Sequence, residues 1–135
     1  MRSALLDTGA LVAIVNRRDR FHAQLTDLLK AYDGRLLTTW PVVAEACSFM
    51  PDRLQGRVLD WIAAAGVEIV SIDAGIDFMR HTMAEYGDLP CDFADASLVY
   101  AASKTRVREI WTLDRDFLVF RLPDRSRFTI TPGAK

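Results

Sequence analysis

Short apolar runs alternate along this chain with longer amphipathic stretches. Residues 3–6 are a short, mostly apolar run closed by Asp7-Thr8-Gly9, after which Leu11, Val12, Ile14 and Val15 recur at helical spacing. The pattern predicts strand, turn and helix, with Asp7 at the strand's end. Past the charged loop Arg17-Arg18-Asp19-Arg20, the residues Phe21, Leu25, Leu28, Leu29 and Tyr32 mark one face of an amphipathic helix that Gly34 stops. Residues 35–38 read as a second strand, and Pro41 suits the first turn of a helix over 42–49. Pro51 breaks that helix. The next one carries Leu54, Val58, Trp61 and Ile62 inward and ends at Gly66. Residues 67–72 read as a third strand, apolar enough to be central, and Asp73 as the N-cap of a helix bearing Ile76, Met79, Met83 and Tyr86.

The stretch over residues 92–117, DFADASLVYAASKTRVREIWTLDRDF, organises the rest. Its opening acids, Asp92 and Asp95, stand three apart, a spacing that puts both on one face in the first turn of a helix. After Arg106 the pattern shortens to a strand over 109–113 whose carboxyl end carries Asp114 and Asp116. A last strand is expected over 128–131. Strands alternate with helices throughout, which predicts an α/β fold: a central parallel sheet of about five strands, flanked by helices on both faces, in one domain over 1–135. The crevice beyond the carboxyl ends of such strands is where sites are built.

Composition narrows the function classes only a little. At 135 residues with half of them apolar, the chain has room for a real core. A formal net charge of -1 argues against a strongly basic nucleic-acid binder, although the cations are mainly Arg, which suits bidentate phosphate contact. No apolar run approaches the roughly 18 residues that cross a bilayer. Asp7 also interrupts the N-terminal apolar stretch before a signal sequence can form, so a cytoplasmic protein without a membrane role is expected. Cys47 and Cys91 have no metal-ligand spacing and read as reduced, buried small hydrophobes.

The carboxylates carry the chemistry. Taken singly, Asp7 and Asp92 are natural N-caps and Asp95 complements a helix dipole. Glu45 lies on or beside the apolar face of its helix, where an unpaired carboxylate costs several kcal/mol; a salt bridge to an Arg is the plain explanation. Taken together, Asp7 and Asp114 end strands of one parallel sheet, and Asp95 begins a helix at the same edge. Three unpaired acids converging there repel one another, and a divalent cation removes the difficulty. All-oxygen ligands point to Mg²⁺ or Mn²⁺ over Zn²⁺. His22 and His81 sit on amphipathic helices and read as surface or core-edge residues.

In this order and at these separations, LLDTGAL, PVVAEACSF, DFADASLVYAA and WTLDRDF resemble the PIN-domain nucleases, and more narrowly the VapC-type toxins of bacterial toxin–antitoxin pairs. The resemblance covers nearly the whole chain. It implies a four-acid catalytic site of Asp7, Glu45, Asp95 and Asp114, with Mg²⁺ (or Mn²⁺) held mainly by Asp7, Asp95 and Asp114. It makes Asp116 an additional acid and Asp92 a supporting residue or cap. Thr8 and Thr112 fall at hydroxyl positions beside the first and last acids. The activity implied is a metal-dependent endoribonuclease acting on RNA, with a homodimer and a small antitoxin as partners. Loop placement makes Arg17, Arg18, Arg20 and Arg115 candidates for phosphate contacts. The residues Phe49, Met50, Trp61, Phe78, Met79 and Met83 read as core, or else as surfaces for such partners. Two other readings stand beside this one. The first is a module of the same fold that binds RNA without cutting it. The second is a phosphoacceptor receiver domain, which wants an acidic pair at the first strand and a Lys after a late one; here Asp7 stands alone and Lys104 precedes its strand.

Overall fold

The computed structural model describes residues 1–133, so the last two residues of the expected domain lie outside the described residues. The strands are β1 (Ser3–Leu6), β2 (Arg35–Thr38), β3 (Glu68–Ile69), β4 (Glu109–Trp111) and β5 (Thr129–Thr131). Between them run α1 (Thr8–Val15), α2 (His22–Ala31), α3 (Trp40–Ser48), α4 (Gln55–Ala65), α5 (Ile76–Glu85) and α6 (Phe93–Thr105). Short 3₁₀ turns occupy Asp52–Leu54 and Arg115–Leu118.

All the strands pair in parallel, in the order β3-β2-β1-β4-β5. The central strand, β1, has Ala4, Leu5 and Leu6 wholly buried, as expected of a strand covered on both faces. From β1 the chain first steps outward through β2 to β3, then crosses to β4 and β5 on the other side. Right-handed crossovers that run in opposite directions along a sheet lay their helices on opposite faces. The reversal falls between β1 and β4, and the crevice that opens at their carboxyl ends is the natural ligand position of such a sheet.

Three expectations from the sequence need correction. The third strand is two residues long and lies at the sheet edge, not at its centre. Its neighbours alternate in burial: Val67 and Val70 are buried, while Glu68 is exposed and pairs with Arg35. Of the remaining apolar residues, Ile69 pairs with Thr38 in the ladder, and Ile72 packs on the core beyond the strand. Asp73 does not cap the following helix, which starts at Ile76 with Gly75 at its N-cap. A Cβ at Gly75 would stand 2.9 Å from the Tyr100 ring, so the glycine lets α5 begin hard against α6. Ile76, expected inward, is 70% exposed. Smaller differences are that β4 ends at Trp111, two residues short of the predicted strand, and that the candidate core or partner residues divide. Met50 and Met79 are buried, Trp61 and Phe78 pack partly buried on the core, and Phe49 and Met83 are exposed.

Candidate active site

The backbone delivers the acids to one place. Asp7 follows β1 directly and serves as the N-cap of α1, its Oδ1 accepting the Thr8 N–H at 2.7 Å. Its own N–H donates to the Trp111 carbonyl of β4, which ties the end of β1 to the strand leading to Asp114. Asp92 caps α6 and forms a reciprocal capping box with Asp95. Asp92 Oδ1 accepts the Asp95 N–H at 2.8 Å, and Asp95 Oδ2 accepts the Asp92 N–H at 3.3 Å. Glu45 projects, half-buried, from the middle of α3. Asp7, Glu45, Asp92, Asp95 and Asp114 all line one cleft of about 590 Å³, together with Thr8 and Arg20.

Thr112 locks the first and last acids together. Its hydroxyl donates to Asp7 Oδ2 at 2.6 Å and accepts the Asp114 N–H at 2.9 Å. Asp116 stays outside the cleft lining; its backbone N–H donates to Asp114 Oδ1 at 2.9 Å, so it helps aim Asp114. Of the candidate phosphate-binding arginines only Arg20 lines the cleft, its guanidinium 4.8 Å from the centre of the Phe21 ring. Arg17 and Arg18 line one adjoining pocket and Arg115 another. His22 is half-buried with Nδ1 bonded to the Ala13 carbonyl, and His81 is exposed; neither lines the cleft.

Burial and mutual repulsion make the cleft electrostatically unfavourable to its own charges. Asp7 is only 5% exposed, and burial pushes its carboxyl up to about 6 against the opposing hydrogen bonds from Thr112 and Thr8. Asp95 is pushed up to about 8, by burial first and then by the charges of Asp92 and Asp7. The free thiol of Cys91 senses the same field: burial, then Asp95 and Asp92, drive it up to about 12, which leaves it unreactive.

A hard divalent cation fits this donor set. The ligands on offer are carboxylate oxygens and the Thr8 hydroxyl, whose Oγ1 is buried in the cleft wall with no hydrogen-bond partner among the described residues. Among the described residues, no three His, Cys, Asp or Glu side chains stand close enough to chelate an ion outright. A hard cation that keeps part of its water shell would need only one or two of these carboxylates directly.

Phe21, Phe49, Asn16 and Asp19 also line the cleft and had no site role in the sequence reading. A signal for Phe49 was present, because it stands four residues after Glu45 on one helical face. Asn16 and Asp19 sit in a loop without periodicity, where sequence carries no equivalent sign, and Phe21 falls on the apolar face predicted for a helix.

Comparison with known proteins bears on the family and the fold. The chain is 29% identical over 134 residues to Ribonuclease VapC26 of Mycobacterium tuberculosis, covering 95% of this chain and 99% of that one. Its fold matches the crystal structure of Mycobacterium tuberculosis VapC20, a toxin described as cleaving the sarcin–ricin loop. That match has a TM-score of 0.66 at 19% identity, over 84% of this chain and 91% of the other. Residues 4–121 match the PIN domain. With an acid placed at the end of β1, within α3, in the first turn of α6 and beyond β4, all facing one cleft, the chain belongs to the PIN-domain family.

Proposed function

We propose that this protein is a divalent-metal-dependent endoribonuclease, the toxin component of a toxin–antitoxin pair. The observation that carries the proposal is the single cleft holding Asp7, Glu45, Asp95 and Asp114, with two of these acids pushed up in pKa and an unpartnered Thr8 hydroxyl beside them. A ribonuclease related along almost its whole length supports RNA as the substrate.

In this reading Asp7, Asp95 and Asp114 would hold the cation, not all of them by direct contact, and Thr112 fixes Asp7 and Asp114 relative to each other. The chemistry such a cation supplies is polarisation of the phosphate oxygens and a lowered pKa for bound water. Glu45, on the α3 side of the cleft, orients the attacking water and accepts its proton. The Thr8 hydroxyl donates to an oxygen of the scissile group. Hydrolysis then adds water across one P–O bond, giving a phosphate end and a hydroxyl end. Arg20, held over Phe21 at the rim, contacts a phosphate outside the reacting one. An unpaired or looped strand enters a recessed cleft more readily than a duplex, so structured RNA cut in its loops is the expected substrate class.

The test is cleavage of a mixed pool of structured RNAs by purified protein in Mg²⁺ or Mn²⁺ against EDTA. Discrete cuts that require the metal are expected. Binding without cutting under every metal condition would put the non-cleaving module ahead. The same reading gives the protein a homodimeric state and a small protein antitoxin. Light scattering behind size-exclusion chromatography should return twice the chain mass, and a monomer at micromolar concentration counts against the dimer. Among the described residues no helix is long and apolar enough to cross a membrane.

A further inference from the structure

The acidic cleft continues into a second, oppositely charged pocket. Asn16 lines both: the acidic cleft on one side and a pocket of about 260 Å³ on the other. Arg17 and Arg18 wall the second pocket from the loop after α1. Arg53 and Arg57 wall it from the turn before α4 and the first turn of that helix. All four arginines are exposed, and none is ion-paired among the described residues, where the pairs observed use Arg2, Arg35, Arg80, Arg108 and Arg125 instead. Phe49, on the acidic side of the boundary, is 66% exposed.

Four like charges around so small a pocket repel one another unless an anion sits among them. The guanidinium fork matches phosphate geometry better than any other cationic side chain does. An exposed aromatic face beside a cationic groove is the pairing by which proteins hold single strands, the ring stacking a base while the cations track the backbone. We propose that Arg17, Arg18, Arg53 and Arg57 form a phosphate subsite for single-stranded RNA next to the scissile bond, with Phe49 stacking the base that bridges subsite and cleft. This rests on the ribonuclease reading and extends it to how the strand is held. Continuity with the cleft through Asn16 and the aromatic at the boundary favour RNA over an acidic protein segment as the occupant.

The probe is a fluorescein-labelled single-stranded RNA 12-mer, with binding followed by anisotropy in EDTA across a monovalent salt series. Each phosphate contact on a single strand contributes about 0.7 to the slope of log K against log salt, so Arg53→Gln with Arg57→Gln should flatten the slope by about 1.4 and weaken binding by about 25-fold at 0.1 M salt. Arg53→Lys with Arg57→Lys should keep the slope, because the charge is retained, while losing part of the affinity with the fork geometry. Phe49→Ala should weaken binding about 5- to 150-fold with the slope unchanged. An unchanged slope in the glutamine pair overturns the subsite, as does absence of RNA binding by the parent. Loss of binding to a polyglutamate peptide with RNA binding intact would assign the pocket to a protein partner and overturn it too. Cleavage in Mg²⁺ separates the two readings: cutting without the slope change leaves the nuclease and removes the subsite, and the slope change without cutting does the reverse.

Discussion

Asp95→Asn is expected to lower RNA cleavage by about 10³-fold or more while making the metal-free protein more stable, not less. The loss follows from position. Asp95 shares the cleft with Asp7 and Asp114, and removing even one neutral donor aimed at a reacting oxygen costs about 10²–10³ in rate; a charged ligand to the metal counts for at least as much. The gain follows from electrostatics. Burial and the neighbouring charges of Asp92 and Asp7 push the Asp95 carboxyl up to about 8, so in its charged form it strains the fold. Asparagine removes the charge and keeps an oxygen to accept the Asp92 N–H, and the other half of the capping box does not involve its side chain at all. Because Asp95 is only half-buried, the stabilisation is of order 1 kcal/mol after allowance for solvent screening. Cleavage assays beside thermal denaturation check both halves. An unchanged rate removes Asp95 from the site, and a variant that loses both cleavage and stability makes it a helix cap and nothing more.

In EDTA, the melting temperature should fall as pH rises from about 5 to 8. Asp7 and Asp95 have folded pKa values of about 6 and about 8, above the unfolded aspartate value near 4. Between those limits the folded state binds more protons than the unfolded one, so stability declines with rising pH. The Asp7 contribution is lost by the time the pH passes about 6, and that of Asp95 continues to about 8. For the fully buried Asp7 the change is of order 2–3 kcal/mol, several degrees in a domain of this size. Glu109 and Asp124 are shifted downward and act below the unfolded carboxylate range, outside this window. A cation competes with those protons, so millimolar Mg²⁺ should raise the melting temperature more at pH 8 than at pH 5. Asp7→Asn should reduce the slope over the lower half of the profile only, whereas Asp95→Asn should reduce it there and flatten the upper half. A flat profile in the parent, or an equal metal effect at both pH values, would mean that the two carboxylates are not held as strained charges.

These outcomes bear on one acidic centre, and much of that centre was legible from local pattern. An apolar run ending in Asp7 before a helical period has few foldings open to it, because a strand covered on both faces needs continuous apolar residues and a helix needs its first donors capped. The same holds for Asp92 and Asp95, whose three-residue spacing predicted a shared first turn and produced a capping box. Alternation of strands and helices then forces parallel pairing, and parallel strands put their carboxyl ends at one edge. The convergence of Asp7, Asp95 and Asp114 therefore followed from the chain's own periodicity plus one topological rule.

Tertiary structure decided the rest, because a local pattern reports how much burial a segment needs and says nothing of which partner supplies it. The run over 67–72 demanded burial as a central strand would, but the order β3-β2-β1-β4-β5 put it at the edge, where Ile69 sits in the strand while Val67, Val70 and Ile72 lie outside it. The start of α5 was set by the Tyr100 ring of α6 against Gly75, a contact between segments 25 residues apart. Thr112 became the link between two acids only because β4 pairs with β1. Arg53 and Arg57 carried no role in the sequence pattern; the approach of α4 to the loop after α1 gathered them with Arg17 and Arg18 into one pocket. Capping and periodicity act within a few residues and are written in the chain, whereas the charge and shape of a cleft are sums over segments that meet only when the sheet has chosen its order.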